Sequence, residues 1–348
     1  MPFKSQNIQY ISNLKLICAL AVIVIHASAP LVLELNKAAS VNWWEGNFID
    51  SAARFAIPVF VMIMGALTLH KEYDICIFLK RKLTRIVIPF LFWSLIYIWY
   101  LYFNKQISFN NNLKENTKQI WLFLKNGSSF HLWYVYMLIG LYFFIPIISK
   151  FVRAASEKEI LYYLFIWFLL MLLTQPYLVR YKPSVDMHYF AGFAGYLVLG
   201  HYLAFKDFEI KYLRLWMKLL FALTIIFIAV GTYLIISYTK LSILTFYDPL
   251  NPVLVIMGIS VFLILKLSKS QLSPFMIRFR DFIVEYNYGI YLAHVVVLNL
   301  LVYFFGISYK ICTPLISIFL TSTICFTITV SLVWMLNKIP IIGKWISG

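Results

Sequence analysis

Apolar residues run along this chain in blocks of about 20, the length that crosses a bilayer as a helix, with short polar connections between them. The blocks fall at 13–35, 48–69, 85–104, 131–150, 160–179, 188–205, 214–237, 249–268, 286–305 and 314–337. They predict an all-α polytopic membrane protein with ten transmembrane helices. Several blocks hold Pro or Gly, which such helices tolerate when neighbours re-satisfy the backbone. The longest connection, 105–130, contains an apolar Ile120 to Leu124 and predicts a short interfacial helix on the outer side. No repeat links the two halves, which disfavours a transporter built from duplicated bundles. Nothing marks off a soluble segment, so residues 1–348 read as a single integral-membrane domain.

Composition agrees. The 348 residues are 62% hydrophobic and 13% charged, with mean hydropathy +0.82, outside the range of soluble domains. The excess of 30 Lys and Arg over 14 Asp and Glu resembles a nucleic-acid binder, but cytoplasmic loops of membrane proteins carry the same bias. With the amino terminus inside, 20 basic residues fall on the cytoplasmic side and nine opposite, Lys182 and Lys240 among them, while Arg54 stays within a span. That split predicts both termini cytoplasmic, in a multi-pass protein of the cell (inner or plasma) membrane, with membrane lipid and no nucleic acid as partner. Cys18, Cys76, Cys312 and Cys325 show no CxxC spacing, so neither a metal site nor a disulfide framework is expected. Lys4, the first apolar run and Ala27-Ser28-Ala29 imitate a cleavable signal. Cleavage would discard His26 and upset the charge bias, so an intact first span is expected.

The candidate chemistry begins in that span. Lys15 and His26 are eleven residues apart, almost three helical turns, so they share a face about 16 Å apart along the axis. Ionisable groups are expensive in hydrocarbon and mark functional positions. A long anionic cofactor can lie along this face, phosphates at Lys15 and reactive end at His26. The competing readings are a buried structural histidine and a topogenic lysine. Asp50 and Arg54, spaced i, i+4, suit an ion pair, either structural or a polar wall in a cavity shared with His26. The connection Lys80-Arg81-Lys82-Leu83-Thr84-Arg85 is either topogenic or a phosphate clamp built on Lys82 and Arg85. His131-Leu132-Trp133-Tyr134 places ordinary interfacial aromatics beside a histidine suited to a hydroxylated acceptor. His294 reads as packing or as a polar contact near the cofactor's entry. His70, His188 and His201, at span ends, read as solvated.

In order along the chain, these segments resemble the membrane-bound acyltransferase 3 family. Span 1 shows the basic-x10-His pattern as Lys15 and His26, and span 2 the Arg…Pro-x-Phe…Gly pattern at Arg54, Pro58, Phe60 and Gly65. Lys82, Arg85, Ile86 and Pro89 follow, then His131 to Tyr134, then Gly289-Ile290-Tyr291 and His294. The likeness is greatest to short stand-alone O-acetyltransferases, such as that acting on enterobacterial common antigen. Ser12 stands where an acidic residue is common, and Lys15 and Lys82 where Arg is more usual; lysine keeps the charge but loses the planar fork.

The resemblance implies an O-acyltransferase, most simply an O-acetyltransferase. It would move an acyl group from cytoplasmic acyl-CoA, acetyl-CoA first, onto a hydroxyl of a cell-surface or lipid-linked glycan. Lys15, Lys82 and Arg85 would bind the donor. His26 would be general base or acyl relay, with Arg54 as second catalytic group. His131, Trp133, Tyr134 and Asp50 would face the acceptor. The alternatives are a glycan or small-anion transporter or flippase, and a polymerase or ligase of lipid-linked glycans using lysines of the 105–130 connection. A sensor or assembly role gives no reason for the Lys15–His26 register.

Overall fold

Polar caps and prolines set the helix boundaries in the computed structural model, which describes residues 5–181, 192–239, 241–269 and 272–348. The described residues form, in order, the α-helices α1 (Ser5–Val32), α2 (Val41–Ala53), α3 (Ala56–Thr68), α4 (Ile75–Phe103), α5 (Leu113–Asn126), α6 (Trp133–Ala154), α7 (Glu157–Leu173), α8 (Ala194–Phe205), α9 (Leu213–Tyr238), α10 (Pro252–Lys266), α11 (Pro274–Glu285), α12 (Asn287–Phe305), α13 (Pro314–Asn337) and α14 (Gly343–Ile346). No strand occurs among the described residues. Among the described residues, seven helical stretches have the length and composition to cross a membrane: Gln9–Val32, Val41–Thr68, Ile75–Phe103, Phe130–Ala154, Leu213–Tyr238, Asn287–Phe305 and Pro314–Asn337. The other three blocks are met by α7, α8 and α10, of 17, 12 and 15 residues. At about 1.5 Å per residue, α8 rises some 18 Å, well short of a ~30 Å hydrocarbon core. Lys4, Lys182, His188 and Lys240 lie outside the described residues.

Two boundaries depart from the hydropathy reading. The second span starts earlier, where the Ser40 hydroxyl accepts from the Trp43 amide, and it is broken at Arg54 and Phe55. Pro58 explains the break, since it has no N–H for the Arg54 carbonyl four residues back. The basic run 80–85 lies inside a helix and not in a connection. Asp74 caps α4 by accepting from the Ile77 amide at 2.9 Å, so the charges occupy its first turns. Asn112 likewise caps α5, the helix expected within 105–130.

The chain forms two compact units, one of residues 1–72, 145–284 and 308–322, the other of 73–144, 285–307 and 323–348. In the first, α3 packs along α8, α1 along α2 and α3, and α10 along α9. The α3–α8 crossing is backbone on backbone: a Cβ at Gly65 would strike the Leu197 carbonyl, and one at Gly200 the Met62 carbonyl. Small residues permit such close approach of helices in membranes. His70 and His201 are not simply solvated, for their rings flank Phe205 at 5.4 and 4.6 Å. Large side chains of α9, including Trp216, Leu223, Phe227 and Leu234, are exposed, a surface that suits lipid and not water.

In the second unit α4 packs against α12 and α14. The Tyr97 hydroxyl donates to the Leu292 carbonyl at 2.8 Å and accepts from the Val296 amide at 3.1 Å. Trp93 Nε1 donates to the Ile346 carbonyl at 3.1 Å, and the Tyr136 hydroxyl holds the end of α5 through the Leu124 carbonyl.

The glycine crossing gives a stability test. Gly200→Leu must separate two backbones, and overpacking of this kind costs at least about 1–3 kcal/mol. Gly140→Leu meets open space, with nothing within 4 Å of its Cβ. Thermal unfolding in detergent should show a lower Tm for the first variant and a near wild-type Tm for the second.

Candidate functional site

Four of the sequence candidates lie in the first unit. α1 is continuous from Ser5 to Val32, so Lys15 and His26 share one helical face within about 20°; both are half-buried. Pro30 lies four residues beyond His26 and supplies no N–H to its carbonyl.

Asp50 is fully buried. Arg54 Nε and Nη2 both bond its Oδ1, and the Ser28 hydroxyl donates to its Oδ2 at 2.8 Å. Burial of a carboxylate requires this degree of compensation. The arginine is held on its other side by Tyr247, whose ring centroid is 4.0 Å from the guanidinium carbon. The Tyr247 hydroxyl donates to Asn47 Oδ1, which also accepts from Ser51 at 3.3 Å, while Asn47 Nδ2 donates to the Ala229 carbonyl at 2.9 Å. Asn47, Asp50, Ser51 and Arg54 thus form a connected polar stripe on α2, tied to α1, α9 and the turn before α10.

Sequence reasoning found Asp50 and Arg54 but missed Ser28, Asn47, Ser51 and Tyr247. The i, i+3, i+4, i+7 spacing of the α2 stripe carried the signal for two of them. Ser28 and Tyr247 had none. Because Ser28 is two residues past His26, their side chains leave α1 about 160° apart. The Asp50 carboxylate therefore meets the flank of α1 that Ser28 presents.

The other candidates lie in the second unit. Arg85 lines a pocket of about 380 Å³ with Lys80, Arg81, Thr84, Ile77 and Trp345. Lys82 instead has its ammonium 5.7 Å from the Tyr142 ring centroid. Arg85 is therefore grouped with Lys80 and with Arg81, which is about 40° away in helical phase against about 60° for Lys82.

His131 is 2% exposed. Its Nδ1 is 3.0 Å from the Ser129 hydroxyl, its ring lies edge-on to Tyr97 at 5.2 Å, and its carbonyl accepts from the Tyr291 hydroxyl. Tyr134 joins through Tyr291, ring to ring at 5.2 Å. His294, fully buried, places its ring 5.2 Å from that of His131, and Tyr291 and the Ile290 carbonyl also lie against it. Trp133 touches Tyr134 edge-on at 6.2 Å and is 41% exposed, so the histidine and the tryptophan of this tetrapeptide face different surroundings. Among the described residues no group of three or more His, Cys, Asp or Glu is arranged to hold a metal ion.

This helical membrane architecture, with ionisable residues held inside apolar helices, defines an integral-membrane protein with a polar centre. The model of the acyltransferase 3 family, described as an acyltransferase domain, matches residues 8–337. The chain belongs to that family and is a membrane acyltransferase. No curated protein and no solved structure matches it.

The buried pair makes a direct prediction. Arg54→Met leaves Asp50 buried and uncompensated, at a cost of about 3–5 kcal/mol. Removing both charges in Asp50→Asn/Arg54→Met should recover most of the lost Tm. A double variant no more stable than Arg54→Met would show that the guanidinium acts through packing on Tyr247 and not through charge.

Proposed function

We propose that the protein is an O-acetyltransferase that moves acetyl from cytoplasmic acetyl-CoA to a hydroxyl of a cell-surface or lipid-linked glycan. The observation that carries this reading is the Lys15–His26 register on one unbroken helix of an acyltransferase. The cation binds donor phosphate near one end of α1, and the imidazole meets the thioester further along it. In the second unit taken by itself, Lys82 and Arg85 are candidates for binding phosphate, Arg85 with Lys80 and Arg81 around one pocket, and His131, Trp133 and Tyr134 are candidates for a hydroxylated acceptor.

In the reaction His26 removes the proton from the acceptor hydroxyl, a role suited to an imidazole. The oxygen attacks the thioester carbonyl, and negative charge collects on the carbonyl oxygen. The C–S bond then breaks, and the CoA thiolate takes the proton from His26. In a relay variant of the chemistry His26 itself carries the acetyl group before the hydroxyl attacks. Asp50 accepts from both Nε and Nη2 of Arg54 and from Ser28, so the part of this pair is to hold α1 and α2 together beside the reacting helix face.

The test is acetyl transfer from radiolabelled acetyl-CoA to extracted glycolipid by the purified protein in lipid, compared with His26→Ala. Loss of the general base should lower turnover by about 10²–10⁴-fold with folding retained. Turnover that survives the substitution would remove His26 from the chemistry. Labelled glycan crossing the membrane without CoA release would establish the transporter alternative instead.

A further inference from the structure

Three cations on the first turns of α4, Lys80, Arg81 and Arg85, are exposed and line one pocket with Ile77, Thr84 and Trp345. No acidic residue lines it, and no ion pair among the described residues engages any of the three. Asp74 precedes them, but its carboxylate is occupied as the helix cap, accepting from the Ile77 amide at 2.9 Å. The volume of about 380 Å³ lies within the usual ligand range of about 300–1,000 Å³.

Charge that only sets topology needs no wall beside it. Here the end of the chain builds one. Trp93 Nε1 donates to the Ile346 carbonyl at 3.1 Å, Asn337 Nδ2 donates to the Ser347 hydroxyl at 2.8 Å, and a Cβ at Gly289 would strike the Ser347 carbonyl. Ile346 and Ser347 are thereby buried, while Trp345 is turned outward beside the basic turns, 48% exposed. Indole rings favour the membrane interface.

The depth of the pocket in a bilayer follows from the helix. Residues 86–103 carry no charge and rise about 27 Å, close to the ~30 Å of a hydrocarbon core. The basic turns therefore lie at the level of the headgroups, where Lys and Arg attract anionic lipid. Their face continues into the hydrocarbon. Ile88, Leu91, Leu95 and Trp99 follow Arg81 at i+7, i+10, i+14 and i+18, the five residues lying within about 80° around the axis. All four apolar side chains are exposed, whereas Trp93 and Tyr97 on the opposite face are buried. From Ile88 to Trp99 the helix rises about 16 Å, the depth of one leaflet. A water-soluble anion makes no contact with such a stripe; a phospholipid covers it.

We propose that this pocket binds the phosphate of an anionic phospholipid of the adjacent leaflet, whose acyl chains run along the Ile88–Trp99 face of α4. The phosphate meets Lys80, Arg81 and Arg85, and the glycerol lies against Trp345. Arg85 is also a candidate for a soluble phosphate, and the two ligands differ in whether acyl chains are required.

The test is titration of radiolabelled dioleoylphosphatidylglycerol into the full chain in neutral detergent with phosphatidylcholine in excess, which requires no turnover. Saturable binding is expected. Lys80→Gln/Arg81→Gln should weaken it about 25-fold, about fivefold for each interfacial cation, and Lys80→Arg, which keeps the charge, should bind as the wild type does. Lys150→Gln/Lys158→Gln removes two exposed charges that the charge bias assigns to the same side, and should leave the affinity unchanged. Equal weakening by the two double variants would mean diffuse surface charge and overturn the proposal. Loss of binding to excess phosphatidylcholine would overturn it as well, as would equally tight binding of glycerophosphoglycerol, the same headgroup without its chains. Complete displacement by acetyl-CoA would do the same and give the pocket to the acyl donor.

Discussion

Inside a bilayer no water is at hand for a polar group that fails to find a partner in the protein. That constraint organises the first unit around one carboxylate. Fully buried Asp50 is tolerated because Arg54 and Ser28 both reach it, and Arg54 is tolerated because it has Asp50 and the face of Tyr247. The Tyr247 hydroxyl in turn needs Asn47, whose amide needs the Ala229 carbonyl. Each partner comes from a different element, so the hydrogen-bond chain also fixes α1, α2, α9 and the turn before α10 against one another. The buried ion pair is thereby made part of the packing.

Much of the fold was readable because hydrophobic block length is a direct physical signal. The α-helical class, the multi-span character and the Asp50–Arg54 pair all follow from local spacing. The failures have local causes as well. Asp74 begins α4 six residues before the basic run, and a hydropathy reading gives weight to the charges of Lys80 to Arg85 rather than to the cap. The break at Arg54 and Phe55 was present in Pro58, but average hydropathy does not register a missing N–H. Tyr247 was not readable at all, since its role arises from a contact made across 193 positions of chain, between residues 54 and 247.

The basic candidates show where a sequence argument stops. Spacing placed Lys82 and Arg85 on one face, and their helical offset does allow it. The side chains are sorted by surroundings instead: a tyrosine ring takes the lysine, while two other cations and Trp345 gather round the arginine. A guanidinium differs from an ammonium in its planar fork, which matches the oxygens of a carboxylate or phosphate. At Lys82 the departure from the more usual arginine then falls where ring contact, and not bidentate geometry, is what the structure uses.

The α3–α8 crossing has a mechanical consequence. Where backbone meets backbone there is no layer of side chains to change rotamer, so the two helices cannot slide past each other by small adjustments. Gly65 lies eleven residues beyond Arg54, and the stretch between them is almost wholly α3. The crossing therefore acts as an anchorage, and α3 as a stiff lever that transmits its position to the arginine. Any rearrangement of this unit therefore has to carry α3 and α8 together as one body, and the charged centre with them.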